Sequence, residues 1–180
     1  MLQAVMDLET SFDVLVVDDN SPDGTASLVK EFQSDQPRVH LLERPGKQGL
    51  GTAYIAGFNW CLERDYAFIF EMDCDFSHDP KDLVRLHTEL EQGNCDMVIG
   101  SRYVNNVVNV VNWPMGRVLL SYFASVYVRF ITRMKVADAT AGFVGYTAKV
   151  LKTIDLDRIK FKGCGVQIEL RYSTSRLVGG

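Results

Sequence analysis

The chain has 180 residues, enough for one domain with a single hydrophobic core. Its net charge of −4 excludes a nucleic-acid binder that relies on a broad basic surface, and its 47% hydrophobic and 23% charged residues exclude a disordered chain. The absence of any C-x-x-C pair argues against a zinc site or a dense disulfide framework and indicates reduced thiols in a cytoplasmic setting. The four cysteines are Cys61, Cys74, Cys95 and Cys164.

The first hundred residues alternate between strands and helices. Four apolar runs that end in polar residues predict strands at 12–21, 38–43, 66–73 and 95–102. Amphipathic stretches between them predict helices that follow the turn at 21–24, the glycines of 44–65 and Pro80. This order predicts an α/β fold with a Rossmann-like, mostly parallel sheet and helices on both faces. An antiparallel α+β domain is the alternative, but it needs hairpin turns that the sequence does not contain.

The later part of the chain breaks this rhythm. An Asn/Val-rich stretch is followed by a predicted helix at 115–135, a glycine-containing ATAGFVGYT, a short helix near 148–154 and a final helix in QIELRYSTSRL. The uncharged run between Arg117 and Arg129 has 11 residues, whereas a bilayer span needs about 20. We therefore predict that this helix contributes partly to the core and partly to contact with a membrane surface.

Polar clusters follow three of the predicted strands, at 18–24, 73–79 and 100–102. In open α/β sheets, ligands bind beyond the carboxyl ends of the strands. We therefore predict an active-site edge where these three clusters converge.

Asp73 and Asp75 form a D-x-D pair directly after an apolar strand. Mg²⁺ and Mn²⁺ take octahedral oxygen coordination and are commonly held by one or two carboxylates together with substrate phosphates. The alternative is a pair of solvated loop acids, and Asp79 before Pro80 fits the role of a helix cap better.

Two other clusters each allow a structural and a functional interpretation. Asp18 and Asp19 suit a turn closed by side-chain hydrogen bonds, or one of them accepts hydrogen bonds from a nucleotide base or ribose. Lys47 lies in GKQGLGTA, a glycine-rich turn before a helix where backbone N–H groups can meet phosphate, although the spacing is not that of a Walker A motif.

Seven blocks in order resemble one family. VVDDNSPDGT, GLGTAYIAGF, EMDCDFSHDP and GSRYV resemble family 2 glycosyltransferases of the GT-A fold. NWPMGRVLLS, DATAGFVGY and CGVQIELRY are similar to the polyprenyl-phosphate mannose synthases, the dolichyl-phosphate mannose synthase group. The resemblance covers about residues 12 to 173 and implies one catalytic domain over residues 1–180.

The resemblance implies transfer of mannose from GDP-mannose to a polyprenyl phosphate such as dolichyl phosphate, with inversion at the anomeric carbon. On the donor side it implies a Mg²⁺ or Mn²⁺ ion on Asp73 and Asp75, with Ser77 standing where the family often has glutamine as a further ligand. The remaining donor-site residues that the resemblance implies are Asp18 and Asp19 at the nucleoside, Lys47 and Gly51 in the loop facing the nucleotide sugar, and Gln167 and Glu169 near the sugar.

On the acceptor side, the resemblance implies that Arg102, Arg117 and Ser121 bind the phosphate, so that the catalytic set is Asp73, Asp75, Arg102 and Arg117. A phosphate monoester with a second pKa of about 6 is already mostly anionic at neutral pH and needs little help from a general base. Arginine forks suit its oxygens. A lipid acceptor implies an enzyme bound peripherally at the cytoplasmic face of a membrane, with no nucleic acid among its partners.

The chain departs from the family pattern at both ends. It lacks the initial strand that ends in a P-x-Y-N-E block, and it stops at RLVGG before the closing basic segment. We therefore expect a catalytic domain clipped at both ends. Two alternatives remain open: a family 2 transferase that uses a UDP-sugar, such as a polyprenyl-phosphate glucosyltransferase, or an inactive module that binds nucleotide sugars.

Overall fold

The computed structural model describes residues 1–101, 103–104, 107–108, 116, 123, 126–128, 131, 138, 141–156 and 165–178. Its strands are β1 (Val14–Asp18), β2 (Val39–Glu43), β3 (Phe68–Glu71), β4 (Met97–Ile99), β5 (Tyr103–Val104), β6 (Val107–Val108) and β7 (Val144–Thr147). Its helices, outside the partly described stretch 116–131, are α1 (Leu2–Met6), α2 (Thr25–Asp35), α3 (Leu50–Leu62), α4 (Asp82–Glu91), α5 (Ala148–Thr153) and α6 (Gly165–Val178).

β1 and β2 form a parallel pair, in register from Val14 opposite Val39 to Asp18 opposite Glu43. Both strands are rich in valine and leucine, as expected for strands covered by other elements. α2 packs against both strands, and α3 packs against β1. The two strands consequently end side by side, which brings the polar residues after Asp18 close to those after Glu43.

β7 lies between β3 and β4 and is antiparallel to both. Because each runs opposite to β7, β3 and β4 point in the same direction, and Glu71 and Ile99 both pair with Val144 at one edge. A side chain at position 145 would collide with the ring of Phe70 and with Val98, so β7 can pass between its neighbours only with glycine there.

The predicted α/β fold is confirmed, since helices alternate with the first four strands at the predicted places. The strand β7 was not predicted, because ATAGFVGYT gave no strand pattern in the sequence. The hairpin of β5 and β6 also lies in the Asn/Val-rich stretch to which no strand was assigned.

Two apolar clusters fill the interior. One surrounds Tyr146 of β7 and includes Phe58 of α3 and Leu170 of α6. The other surrounds Phe143 and includes Val39 of β2 and Leu86 of α4. Residues just before and within β7 thus join the two clusters, which fixes the position of this segment next to the end of β3.

The described positions between 116 and 131 are helical, in agreement with the predicted helix at 115–135. Within the parts of the chain that the structure describes, no helix is both long and apolar enough to cross a membrane.

Candidate active site

Asp18 is the last residue of β1 and is almost completely buried. Its Oδ2 accepts a hydrogen bond from the backbone N–H of Ser21 at 3.0 Å, and Asn20 inside this turn has a φ of 59°. Asp18 therefore closes the turn, which is the structural interpretation that the sequence allowed. Its neighbour Asp19 is positioned at the sheet edge by this turn.

Asp19 is held by Arg44, the residue that follows β2. The guanidinium Nε lies 2.7 Å from Oδ1 of Asp19, and Nη2 donates to Oδ2 at 3.3 Å, a two-pronged contact with a side chain that is only 8% exposed. Nη2 also donates to Oγ1 of Thr52 at 3.0 Å. Arg44 thereby joins the ends of β1 and β2 to the first turn of α3. Sequence analysis missed it, although a lone arginine after a strand at the predicted active-site edge was a usable signal.

The glycine-rich turn leads directly into α3. Gly49 has a φ of 101°, a conformation that favours glycine, and Gly51 is buried in the first turn of the helix. The hydroxyl of Thr52 donates to the carbonyl of Gly49 at 2.8 Å. Lys47 is exposed in the same turn. The turn, the helix start and the Arg44 contact form one connected surface next to Asp19.

The D-x-D loop follows β3, and Asp73 and Asp75 are both exposed. Oδ1 of Asp75 accepts a hydrogen bond from the backbone N–H of Ser77 at 2.9 Å. Hydrogen bonds from the Ser77 side chain and backbone hold the pKa of Asp75 below its usual range, with a further contribution from His78. Asp75 is therefore an ionised acceptor at neutral pH, and Ser77 lies beside it.

Asp73 packs against the segment that leads into β7. A Cβ placed on Gly142 would lie 2.5 Å from Oδ2 of Asp73, so the carboxylate rests on the bare Cα of this glycine. Sequence analysis singled out the DATAGFVGY block only by resemblance. The structure explains why position 142 holds a glycine, because a larger residue there would displace the Asp73 carboxylate.

A buried carboxyl–guanidinium pair lies next to this contact. Glu71 ends β3, and Arg171 of α6 is fully buried with its Nη2 3.9 Å from Oε1 of Glu71. Burial raises the pKa of Glu71 to about 8. The Arg171 guanidinium and the Tyr146 hydroxyl oppose this increase, whereas the Asp73 carboxylate adds to it. Arg171 also donates to the carbonyl of Ala141. Neither Glu71 nor Arg171 was predicted as a site residue.

The structure describes only some of the remaining predicted site residues. Arg102, Arg117 and Ser121, which were predicted to bind the acceptor phosphate, lie outside the described residues. Position 167 belongs to α6, but the Gln167 side chain lies outside the described part. Glu169 is half-buried in the same helix, two residues before Arg171. The structure thus brings Asp73, Asp75 and Ser77 together in one loop, and Asp19 together with the glycine-rich turn.

These residues fit a divalent cation that takes only part of its coordination from the protein. Among the described residues, no group of three or more His, Cys, Asp or Glu side chains could hold a metal ion. A Mg²⁺ or Mn²⁺ ion that shares substrate phosphates needs only one or two carboxylates. Asp73 on its glycine platform and ionised Asp75 supply such a pair.

Comparison with known proteins gives a consistent result. The model of the family described as glycosyl transferase family 2 matches residues 1–155. The chain is 47% identical over 165 residues to the undecaprenyl-phosphate mannosyltransferase of Micrococcus luteus, covering 92% of this chain and 67% of that protein. It is 46% identical over 160 residues to the polyprenol monophosphomannose synthase of Mycolicibacterium smegmatis, covering 88% and 60%.

Solved structures support the fold. The chain is similar to glucosyl-3-phosphoglycerate synthase from Mycobacterium tuberculosis in complex with Mn²⁺, UDP-glucose and glycerol 3-phosphate, with a TM-score of 0.58 and 20% identity. The alignment covers 92% of this chain and 55% of that one. The chain thus has a GT-A fold and spans between about half and two thirds of the lengths of these proteins.

Proposed function

The chain belongs to glycosyl transferase family 2, and on that premise we propose that it carries the site of an inverting transferase that moves mannose from GDP-mannose to a polyprenyl phosphate. The observation that carries the proposal is the D-x-D loop, held at the sheet edge with Asp73 against Gly142. The choice of mannose as the sugar and of a lipid phosphate as the acceptor rests on the names of the two bacterial relatives, which are 47% and 46% identical to this chain.

On the donor side, Asp73 and Asp75, with Ser77, are the residues that would hold Mg²⁺ or Mn²⁺ against the diphosphate. When bound, such a cation neutralises the charge that develops on the leaving nucleoside diphosphate. Asp19, fixed by Arg44, faces the nucleoside, and Lys47 with Gly51 lies along the nucleotide sugar. Asp18 supports this contact from below by closing its turn, while Gln167 and Glu169 of α6 are proposed near the sugar.

On the acceptor side, Arg102, Arg117 and Ser121 are proposed to bind the lipid phosphate. The attacking oxygen belongs to an anion, so the protein needs cations that hold it in line with the anomeric carbon more than it needs a base. Attack from the face opposite the diphosphate inverts that carbon.

Contact with a membrane surface is part of the proposal. Phe123, Val126, Tyr127 and Ile131 are exposed, and their spacing of three, four and eight residues places them on one side of a helix. Arg117, Arg129 and Arg133 stand in the same stretch of the sequence. An apolar stripe with nearby arginines suits peripheral binding at the cytoplasmic face of a membrane, where a lipid-linked phosphate is presented.

The test is transfer of radiolabelled sugar to lipid. The chain is incubated with vesicles that contain polyprenyl phosphate, with GDP-mannose or UDP-glucose, and with Mn²⁺ or EDTA, and the sugar in the lipid extract is identified. We expect mannose in the lipid only with GDP-mannose and Mn²⁺. Asp73→Asn should lower the rate about 100-fold or more, as loss of a group that stabilises the leaving charge does. Asp79→Asn is the matched control, since Asp79 is an exposed acid of the same loop whose carboxylate accepts a turn hydrogen bond from the backbone N–H of Lys81.

Two other results would replace the proposal. Glucose in the lipid extract would identify a UDP-sugar transferase. Thermal stabilisation by GDP-mannose with Mn²⁺, without any labelled lipid, would identify a module that binds nucleotide sugars and does not transfer them.

A further inference from the structure

We propose that Glu71 and Arg171 are positioning residues that hold Asp73 in the geometry in which it binds the divalent cation. The inference rests on the proposed function, because it assigns these two residues to the metal site of that function. It adds two side chains that the D-x-D motif does not contain and that sequence analysis did not select.

Arg171 contacts both sides of the Asp73 site. Its Nη2 lies 3.9 Å from Oε1 of Glu71, the last residue of β3, and donates to the carbonyl of Ala141, the residue before Gly142. Its side chain is fully buried, so the guanidinium has little freedom to follow a movement of either partner. One buried guanidinium nitrogen therefore lies between the end of β3 and the start of the segment that enters β7, and it limits how far the two can move relative to each other.

Asp73 depends on that separation. It stands two residues after Glu71, and its Oδ2 is so close to the Cα of Gly142 that a Cβ there would lie at 2.5 Å. The strands are joined just beyond this point, where Glu71 pairs with Val144. A shift of Glu71 relative to Ala141 would move the Asp73 carboxylate away from its glycine platform.

Stability alone does not explain the burial of two ionisable side chains. Replacing such a pair by apolar residues of similar volume is often neutral or stabilising, because the desolvation of both charges offsets their attraction. Here the pair links α6 to the strand that leads into the D-x-D loop, and residues that support metal ligands commonly tune metal affinity. The expected role of Glu71 and Arg171 is thus to position Asp73 and not to stabilise the fold.

The experiment measures Mn²⁺ binding to the whole chain, with Mn²⁺ alone as the probe and electron paramagnetic resonance as the readout. The apolar double variant Glu71→Leu/Arg171→Met should fold but bind Mn²⁺ about 10- to 100-fold more weakly. Arg171→Lys keeps the positive charge but removes the planar guanidinium. This variant should weaken Mn²⁺ binding less than the double variant. Thr174→Val is the matched control, because Thr174 is also buried in α6 and its hydroxyl donates within its own helix to Leu170.

A second readout separates positioning from folding. In the transfer assay, the Mn²⁺ concentration for half-maximal rate should rise in the Glu71 and Arg171 variants, while the rate at saturating Mn²⁺ recovers to within a few fold. A purely structural defect would lower the rate at every Mn²⁺ concentration. Should the double variant fail to fold, Arg171→Lys is measured in its place, with an expected increase in the Mn²⁺ requirement.

The outcomes are distinguishable. If the wild-type chain binds Mn²⁺ and the folded variants bind it equally well, the positioning role is wrong and the proposed function stands. If the wild-type chain binds no Mn²⁺, the metal site of the proposed function is wrong and the inference falls with it.

Discussion

Gly142 is the residue whose role is most sharply defined by the structure. It has no side chain because the Asp73 carboxylate occupies the place where one would begin. The contact joins two residues that are far apart in the sequence. The position of the Asp73 carboxylate thus depends on Gly142 as well as on the D-x-D loop.

Gly142→Ala should therefore damage the site more than the fold. The new methyl group would push the exposed Asp73 side chain aside, and a displacement of about 1 Å in a catalytic group can cost about 100-fold in rate. We expect a large loss of Mn²⁺-dependent transfer and a melting temperature close to that of the wild type. Gly57→Ala is the control, since a Cβ there lies 3.5 Å from its nearest neighbour, Val17, and should be tolerated. A Gly142→Ala variant with normal transfer would contradict the platform role.

Cys61 and Cys74 should differ strongly in reactivity. Burial raises the pKa of the Cys61 thiol to about 11, against a smaller opposing effect of Arg64, whereas Cys74 is exposed between the two aspartates. At pH 8 only about one Cys61 side chain in a thousand is the reactive thiolate. Iodoacetamide should modify Cys74 first, and peptide mapping by mass spectrometry measures both rates.

The same pKa shift predicts a pH dependence of stability. The folded pKa of Cys61 lies above the ordinary value of 9.0 for a cysteine thiol, so the folded protein binds this proton more tightly. Its contribution to stability is complete below about pH 9 and is lost as the pH rises through about 11. Cys61→Ala should consequently lose less stability than the wild type between pH 9 and 11 in urea titrations. An equal loss in both proteins would contradict the raised pKa.

At the scale of elements, local patterns predicted the first four strands and the D-x-D loop but not β7. An apolar run that ends in acids, such as the one before Asp73, carries its own signal. β7 is a four-residue strand with a glycine at position 145, and it exists because it fills the space between β3 and β4. That pairing joins residues more than 40 positions apart, which no local pattern contains.

The same limit applies to the Glu71–Arg171 pair. Both residues are charged, so their sequence alone places them on the surface. Only the packing of α6 beneath the end of β3 buries them, and the two positions are 100 residues apart in the chain. Asp73 and Asp75 could be predicted because they lie close together in the sequence. The Glu71–Arg171 pair next to them could not.

The helical stretch with exposed Phe123, Val126, Tyr127 and Ile131 should bind membranes. Insertion of these side chains into the headgroup region removes apolar surface from water, and a loss of about 1.4 kcal/mol per variant corresponds to a tenfold weaker association. Ile131→Glu should weaken sedimentation with anionic vesicles about tenfold. Leu28→Glu is the matched control, because Leu28 is equally exposed but lies on α2. Equal effects of the two variants would contradict a specific membrane face.

At the scale of the whole molecule, the proposed donor site is divided between two sheet segments. The parallel pair of β1 and β2 carries Asp19, Arg44 and the glycine-rich turn, and the antiparallel group around β7 carries Asp73 and Asp75. A nucleoside diphosphate sugar has the matching division, with the nucleoside at one end and the metal-binding diphosphate next to the sugar. A mutation in one part should therefore weaken binding of its own ligand group and leave binding at the other part unchanged.

Arg44→Gln tests this division. Loss of the fork leaves Asp19 without its charged partner, and hydrogen bonds to charged groups contribute about 1.5–3 kcal/mol, so GDP binding without metal should weaken about tenfold or more. Mn²⁺ binding should stay unchanged, and the effects of Arg44→Gln and Asp73→Asn should add in the double variant. Lys30→Gln is the control, because it removes an exposed ion pair with Glu43, the residue before Arg44, and exposed pairs contribute little. Isothermal titration calorimetry measures the wild type and the four variants. A Mn²⁺ affinity that falls together with the GDP affinity in Arg44→Gln would show that the donor site is a single unit.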